Sequence, residues 1–456
     1  MSRPRALALL LGTAVVSAGL GVTALQLRQP RAPAPILVGA VFPLAGSAAP
    51  LARQEELGVR IAAELVNADG GINGRPIKLD VRTLESGRDA PRIMKALRDE
   101  GAQVVIGAYA SDLSIAASAA AADAGLIYWE AGAVADQLTG RGLPMVFRVG
   151  ASGSNLGTNS ASFAATQVAP RLGKQAKGLR LAIVAARDDY ATSVADAAAR
   201  EAIASGAPVV LRATYDLTLP RWPQLMRSLA TAHPDVIILA SHIPDGIAFR
   251  RAMLAAKLKV GALIGSTMAE CSPDFAGDLG PDAVGIFASD RPTAGFQPSV
   301  LGSEARAAFD RLASAWAREG GPTPGSTPEW TPDSARYGDD EYAIQGPMLS
   351  GTAGPTEEGL SGFSAAWALF RHVLPAAADA GELDGSRIAA TARSLDLPSG
   401  TLPNGAGIRF SSDPDTLGQN LRATAVIWQW QAVRSYTFVW PPSYATGSIA
   451  MVPLPR

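Results

Sequence analysis

The sequence predicts an α/β protein made of two doubly wound lobes, each built around a mostly parallel sheet. Short apolar runs alternate with amphipathic stretches from Ile36 onward, and this alternation is typical of βαβ units. The series restarts after Gly150, which indicates a second unit of the same kind. Neither unit carries the glycine pattern of a dinucleotide-binding fold or of a P-loop, so we expect a ligand to be held between the lobes.

The first series extends to Gly150. In the stretch 55–67, apolar residues at four-residue spacing share one face, which predicts a helix, and Gly70-Gly71 ends it as glycine does past a helix end. The predicted strands are Ile36–Phe42, Ile77–Leu84, Val104–Ile106 and Leu126–Trp129, and the predicted helices are Glu55–Asn67, Pro91–Arg98 and Leu113–Ala122.

The second series repeats the alternation and then gives way to longer elements. Residues 320–340 are rich in Pro, Gly, Ser and Thr and predict an irregular loop. Two segments near the C-terminus, 423–430 and 435–440, predict antiparallel strands. The other predicted strands are Leu181–Ala185, Val209–Leu211 and Val236–Leu239, and the predicted helices are Ala191–Ala204, Trp222–Ala230, Gly246–Ala256, Glu304–Ala317 and Gly362–Ala378.

Composition narrows the function classes. The 456 residues include 40 basic and 41 acidic side chains, so no basic excess is available for nucleic acid and we expect no such partner. Cys271 is the only cysteine, which excludes an intrachain disulfide. The three histidines lack HExxH spacing, so we expect no metal and no cofactor. The sequence also lacks a GxSxG nucleophile motif, and we expect the chain not to be an enzyme.

Residues 1–35 predict an export signal. Arg3 and Arg5 precede an apolar run from Ala6 to Leu25, which is the layout of a secretory signal peptide. The run of about 20 residues is also long enough to span a bilayer, so a retained N-terminal anchor is the alternative. Either way the sequence predicts a periplasmic location.

Several stretches, in order along the chain, resemble the type I periplasmic binding proteins, and in particular the branched-chain amino-acid-binding proteins of ABC importers. They are GAVFPLAG (39–46), NADGGINGRPI (67–77), VIGAYAS (105–111), LTGRG (138–142), VFR (146–148), VIWQWQ (426–431) and FVWP (438–441). The resemblance covers nearly the whole chain after residue 35. It therefore carries more weight than any single motif.

This resemblance implies lobes that are discontinuous in sequence and joined by a three-crossover hinge, which we place near Gly150, Ser289 and Leu397. The first lobe would comprise residues 36–150 and 290–396, and the second 151–289 and 397–456. The resemblance also implies a monomer that closes around a small ligand, an amino acid or related carboxylate or amide, and delivers it to an ABC transporter permease. Two other functions stay open: a membrane-anchored sensing module, and an α/β hydrolase using the interlobe cleft.

Ser111 is the strongest candidate for a ligand contact. It follows the strand Val104–Ile106 and opens the next helix, where orphan N–H groups favour a carboxylate. In the family the serine at this position holds the ligand carboxylate; the alternative is that Ser111 only caps the helix.

The loop after the next strand would complete this carboxylate site through the backbone of Ala133 and Val134. Val134 stands where the family has a threonine, so one hydroxyl is lost. Glu130 is an acid at the end of the same strand and is our first candidate to pair a ligand ammonium. The alternative is a solvated carboxylate.

The second lobe supplies the remaining candidates. Tyr190 matches the aromatic residue that covers the ligand in the family, with a purely structural tyrosine as the alternative. His242 matches another cleft tyrosine, and Thr267 stands where the family has the glutamate that binds the ammonium. Glu270 lies three residues further on. The loss of that glutamate argues against a simple leucine-like ligand.

Overall fold

A computed structural model describes residues 33–321, 354–433 and 435–455. The predicted export signal and the predicted irregular loop therefore lie almost entirely outside the described residues. None of the helices in the described ranges is both long and apolar enough to cross a membrane.

The first sheet contains five strands in the order β2-β1-β3-β4-β5, all parallel. Four of the strands are short and largely buried, which explains why they appear in the sequence as apolar runs, whereas β2 lies at the edge of the sheet, is mostly exposed or half-buried, and alternates apolar and polar residues. The strands are β1 Ile36–Phe42, β2 Ile77–Thr83, β3 Val104–Gly107, β4 Ile127–Glu130 and β5 Val146–Arg148.

The second sheet contains seven strands in the order β14-β13-β10-β9-β8-β6-β7. Strands β6 to β10 are parallel to one another, whereas β13 is antiparallel to β10 and β14 is antiparallel to β13. The strands are β6 Leu181–Ala186, β7 Val209–Tyr215, β8 Val236–Ala240, β9 Ala262–Ser266 and β10 Phe287–Asp290, and later β11 Asp396–Leu397, β12 Ile408–Arg409, β13 Val426–Ala432 and β14 Ser435–Trp440; β11 and β12 form a separate antiparallel pair.

Helices connect the strands and cover both sheets. Ahead of the sixth strand they are α1 Ala49–Ala68, α2 Ala90–Asp99, α3 Ser111–Asp123, α4 Gly153–Phe163 and α5 Ala169–Arg171. The later helices are α6 Asp189–Ala204, α7 Trp222–Ala232, α8 Ile243–Ala255, α9 Pro273–Leu279, α10 Ser303–Arg318, α11 Glu357–Trp367, α12 Leu374–Asp379 and α13 Gly385–Ser394. A π-helical turn, Ala368–Val373, joins α11 to α12.

The predicted fold class is confirmed: two parallel-sheet α/β units are present, and the predicted antiparallel pair at the C-terminus is β13 and β14. The predicted helix 362–378 is two helices with a π-helical turn between them. Helix α4 was not predicted, because its sequence, GSNLGTNSASF, lacks an apolar stripe.

The chain passes between the two sheets three times. It leaves the first sheet after β5, returns after β10 to form α10 to α13, and enters the second sheet again at β13. The stretch that precedes this last passage lies against the first sheet. Arg148 N donates to Gly418 O at 2.9 Å, and the Phe410 ring packs on Trp129 and Phe147. Residues 397–456 were assigned to the second lobe, but these contacts place residues 408–420 beside β5.

Helices α1 and α11 approach each other closely because glycines face the contact. A Cβ on Gly58 of α1 would come within 2.2 Å of Gly359 O and 2.7 Å of Phe363 N, and both of these atoms belong to the backbone of α11. Only a hydrogen fits at this position. This contact fixes α11, and therefore its acidic first turn, against the helix that follows β1.

We expect Gly58→Ala to destabilise the protein by about 1–3 kcal/mol, because the added methyl group must push two helix backbones apart. Urea unfolding at neutral pH measures the change. Gly178→Ala is the matched control, since a Cβ there meets no atom within 4 Å and the backbone conformation is ordinary. Equal stability of the two variants would contradict the close approach of α1 and α11.

Candidate ligand-binding site

A cavity of about 540 Å³ lies where the carboxyl ends of the two sheets meet. Residues that directly follow the strands line it, as expected for open parallel sheets. From the first sheet these are Pro43 after β1, Glu85 after β2, Tyr109 after β3 and Gly132 after β4; from the second sheet they are Asp188 after β6, Leu217 after β7, His242 after β8, Thr267 after β9 and Arg291 after β10.

Ser111 lines the cavity at the start of α3. The N-cap residue of this helix is Ala110, and Ser111 makes no capping hydrogen bond, so the alternative role of a simple cap does not hold. Its hydroxyl oxygen accepts from Ala135 N at 3.2 Å. This hydroxyl donates to no described residue, so its hydrogen is available to a ligand oxygen.

Glu130 does not line the cavity, contrary to the expectation that it meets a ligand ammonium. Its side chain is fully buried and turns back on its own loop, where Oε1 accepts from Gly132 N and Ala133 N, each at 2.8 Å. Tyr128 Oη donates to Oε2 at 3.1 Å. Burial raises the pKa of this carboxyl, and the backbone donors oppose that rise. Glu130 therefore shapes the loop instead of facing the ligand.

The two backbone candidates of this loop separate. Val134 lines the cavity, whereas Ala133 does not. The carbonyl oxygen of Ala133 accepts from Arg148 Nη1 at 3.3 Å, and its N–H donates to Glu130. Both polar groups of Ala133 are thus used inside the protein.

Tyr190 lines the cavity from the first turn of α6. Its hydroxyl donates to the carbonyl oxygens of Ser241 and Ser266, at 3.0 and 3.2 Å. The hydroxyl is therefore occupied by the ends of two neighbouring strands, and the ring is the part offered to a ligand. The structural role of the hydroxyl is thus observed, and the ligand-covering role of the ring stays a prediction.

His242 also lines the cavity and lies between two carboxylates. Its Nε2 is 3.4 Å from Asp188 Oδ2, its Nδ1 is 3.8 Å from Asp245 Oδ1, and its ring packs edge-on against Tyr190. Burial opposes the imidazolium, but the carboxylates of Asp245 and Asp188 outweigh it and raise the pKa of His242. Burial also raises the pKa of Asp188.

Thr267 lines the cavity in a backbone conformation that L-residues rarely adopt, with φ of 68°. Met268 beside it has φ of 53°, and Tyr109 on the opposite side has φ of 68°. Each such residue costs of the order of 1–3 kcal/mol unless its surroundings impose it, and such residues concentrate at ligand sites. Three of them on one cavity support its assignment as the functional site.

Glu270 is fully buried and does not line the cavity. Neither carboxylate oxygen has a hydrogen-bond partner among the described residues, and its side chain packs against Gly265 and Gly246. Burial raises the pKa of Glu270 to about 8. At neutral pH this residue is therefore mainly an uncharged acid beneath the cavity floor.

Sequence reasoning did not name several cavity residues, and three of them, Asp188, Tyr109 and Arg291, matter most for its chemistry. Asp188 is partly buried and caps α6 by accepting from Ala191 N. Tyr109 lies in a stretch quoted only for the family resemblance. Arg291 follows a strand that was not predicted. The convergence of strand ends was the available signal for all three, because each directly follows a parallel strand.

Two open α/β sheets whose carboxyl ends enclose one cavity define the class of two-lobed solute-binding proteins. The sequence pattern of the family described as "Periplasmic binding protein" matches residues 35–427. The chain belongs to this family, as its sequence motifs predicted, and membership implies an extracytoplasmic location.

Individual relatives agree with this assignment. The chain is 29% identical over 437 residues to Leu/Ile/Val-binding protein homolog 8 of Brucella suis biovar 1 (strain 1330), with 94% of this chain and 96% of that protein covered. Its fold resembles a branched-chain amino acid transporter substrate-binding protein of Streptococcus pneumoniae in complex with isoleucine (TM-score 0.65, 16% identity, 89% and 100% covered). It also resembles an R. palustris solute-binding protein in complex with benzoate (TM-score 0.63, 17% identity, 91% and 98% covered).

The buried Glu270 generates a prediction about pH. Its pKa is raised in the folded protein, so the folded state holds the proton more tightly than the unfolded chain does. The contribution of the protonated Glu270 to the free energy of unfolding is therefore complete below the ordinary glutamate pKa of 4.5, and it is lost as pH rises towards about 8. We expect Glu270→Gln to flatten the fall in unfolding free energy across this range.

Urea unfolding at pH 5, 6.5 and 8 measures this effect. Glu382→Gln, at an exposed glutamate, is the control and should follow the native protein at each pH. A Glu270→Gln profile as steep as the native one would show that Glu270 is ionised in the folded protein.

Proposed function

We propose that the cavity captures an amino acid, or a related small carboxylate or amide, and that the protein delivers it to an ABC transporter permease. The observation that carries this proposal is the distribution of polar groups across the cavity. Hydrogen-bond donors line the cavity after the strands of the first sheet, and the carboxylate-bearing Asp188 lines it after β6 of the second sheet.

The donor side suits a carboxylate. The first turn of α3 presents backbone N–H groups and the positive end of the helix dipole, and Ser111 adds a hydroxyl. Glu85 and Asp112 also line this side, but both are exposed, so solvent screens their charges.

The acceptor side suits an ammonium. Asp188 is partly buried; its Oδ2 is enclosed, has no hydrogen-bond partner among the described residues and lies 3.4 Å from His242 Nε2, so a ligand ammonium reaches it only when the imidazole moves aside. A ligand ammonium at this oxygen would compete with the imidazolium for the same charge. Asp188 thus takes the role first assigned to Glu130, and the ring of Tyr190 covers the ligand beside it.

Size and relatives support the same ligand class. A volume of about 540 Å³ is within the usual range for small-molecule sites. The isoleucine and benzoate bound by the two structural relatives differ in shape but share a carboxylate. That shared group is the one that the start of α3 is built to hold.

The motion that we propose is closure of one lobe on the other. The first lobe comprises residues 36–150 and 290–396. Residues 408–420 belong to it as well, because they contact β5, and the remaining described residues form the second lobe. Delivery to a permease, export by the N-terminal signal and a monomeric state belong to the same proposal.

We expect Ser111→Ala to weaken binding of an amino acid about fivefold, the value of one neutral hydrogen bond of about 1 kcal/mol, because the backbone donors of α3 remain. Asp188→Asn should weaken binding by roughly 10- to 100-fold, since it removes a charge-assisted bond, and asparagine still caps α6. Calorimetry with a panel of amino acids and their des-amino analogues measures both effects.

Ser228→Ala, at an exposed serine of α7 remote from the cavity, is the control and should bind as the native protein does. Native affinity in the Asp188→Asn variant would rule out the ammonium contact. Equal binding of amino acids and of amines lacking the carboxylate would rule out the site at α3.

Ligand binding should also close the lobes, because a ligand that contacts both sheets binds the closed state more tightly. Small-angle scattering of the purified protein at saturating ligand should give a smaller radius of gyration than without ligand. An unchanged scattering profile, with binding established by calorimetry, would contradict closure.

A further inference from the structure

Arg291 lies at the junction between the two sheets. It follows β10 of the second sheet, and its Nη1 donates to Gly132 O at 2.5 Å and to Ala131 O at 3.3 Å in the loop after β4. Its Nε is 2.5 Å from Glu357 Oε1 and 3.6 Å from Asp290 Oδ1. Two edges of the guanidinium are therefore fixed by the protein.

The remaining nitrogen, Nη2, is not used by the described part of the chain. It makes no hydrogen bond there, and it is not fully enclosed by protein atoms. The side chain is only 5% exposed, and the residue lines the cavity. This buried arginine thus keeps one pair of donors for whatever occupies the cavity.

Tyr109 places a second donor in the same region. The residue is 7% exposed, it lines the cavity, and its hydroxyl makes no hydrogen bond to a described residue. Burial, and then the nearby carboxyls of Glu358 and Glu357, raise the pKa of Tyr109 well above its usual value. The hydroxyl is therefore a neutral donor at working pH.

The charge around Arg291 determines which acceptor fits. Asp290 and Glu357 lie beside its guanidinium, and the buried carboxyls of Glu55 and Glu358 act on it as well. Burial raises the pKa values of Glu55, Glu357 and Glu358 and so favours their uncharged forms. A second ligand carboxylate would bring a further negative charge into a region that already disfavours ionised acids. An uncharged carbonyl oxygen accepts the same hydrogen bonds without that cost.

The position of Arg291 relative to Ser111 sets the distance between two ligand groups. Ser111 binds the loop after β4 at Ala135, and Arg291 binds the same loop at Gly132. These points are three positions apart in sequence, a span of at most about 11 Å of extended chain. The two donor sites are close enough for one small molecule to reach both.

We propose that Arg291 and Tyr109 form a subsite for an uncharged carbonyl oxygen, so that the ligand is an amide-bearing small carboxylate rather than a branched-chain amino acid. The subsite rests on the proposed function, because the carboxylate of the same ligand occupies the start of α3. Arg291 thereby determines specificity at the end of the cavity nearest the junction of the sheets.

Five probes of similar size test this subsite by calorimetry on the full exported protein: L-asparagine, L-glutamine, L-aspartate, L-glutamate and L-leucine. At least one amide should bind tenfold more tightly than its matching acid and than leucine. Arg291→Lys keeps a positive charge beside Glu357 but removes the second donor pair, and it should lower the amide-to-leucine affinity ratio about tenfold. Tyr109→Phe should lower the ratio less, and Arg387→Lys, on α13, is the control.

Leucine binding as tightly as the tighter amide would overturn the subsite, and so would both acids binding at least as tightly as their amides. An affinity ratio unchanged in both Arg291→Lys and Tyr109→Phe would overturn it too. Ser111→Ala separates the two proposals, because it should weaken all probes alike and leave the ratio unchanged. If none of the five probes binds, both the subsite and the proposed ligand class are wrong.

Discussion

Parallel strands place all of their carboxyl ends at one edge of a sheet, and in this chain two such edges share one cavity. The cavity residues considered above follow from this constraint, since each lies either in the loop after a strand or in the first turn of the helix that comes next. Helices begin at the same edge, so the positive ends of their dipoles are presented there too. The site is therefore a product of strand direction, and the side chains only decide which molecule it accepts.

The constraint also explains what could be predicted from the sequence. The apolar run Ile36–Phe42 coincides with β1, because a strand that is buried on both faces is apolar throughout and does not alternate with polar residues. Ser111, which follows a recognisable strand and begins a helix, and Tyr190, which the family resemblance indicated at the start of a predicted helix, both line the cavity. For such residues, local sequence pattern and site geometry carry the same information.

Other residues could not be placed from local pattern. Glu130 also follows a strand, but its fate depends on how the next three residues turn, since their N–H groups draw the carboxylate inward. Arg291 depends on contacts with residues about 66 and 160 positions away, Glu357 and Ala131. Segment 408–420 packs on β5 through residues more than 260 positions distant. Such contacts leave no periodic signal in a single sequence.

The return of residues 408–420 to β5 has a consequence for the order of synthesis. The strands of the first sheet are complete at Arg148, yet α10 to α13 and Phe410 reach it only when most of the chain has been made. Until then one face of that sheet lacks part of its apolar cover, so the lobe that begins first on the ribosome is finished late. Under the export proposed above, this delay keeps the lobe incompletely folded for longer before the chain crosses the membrane.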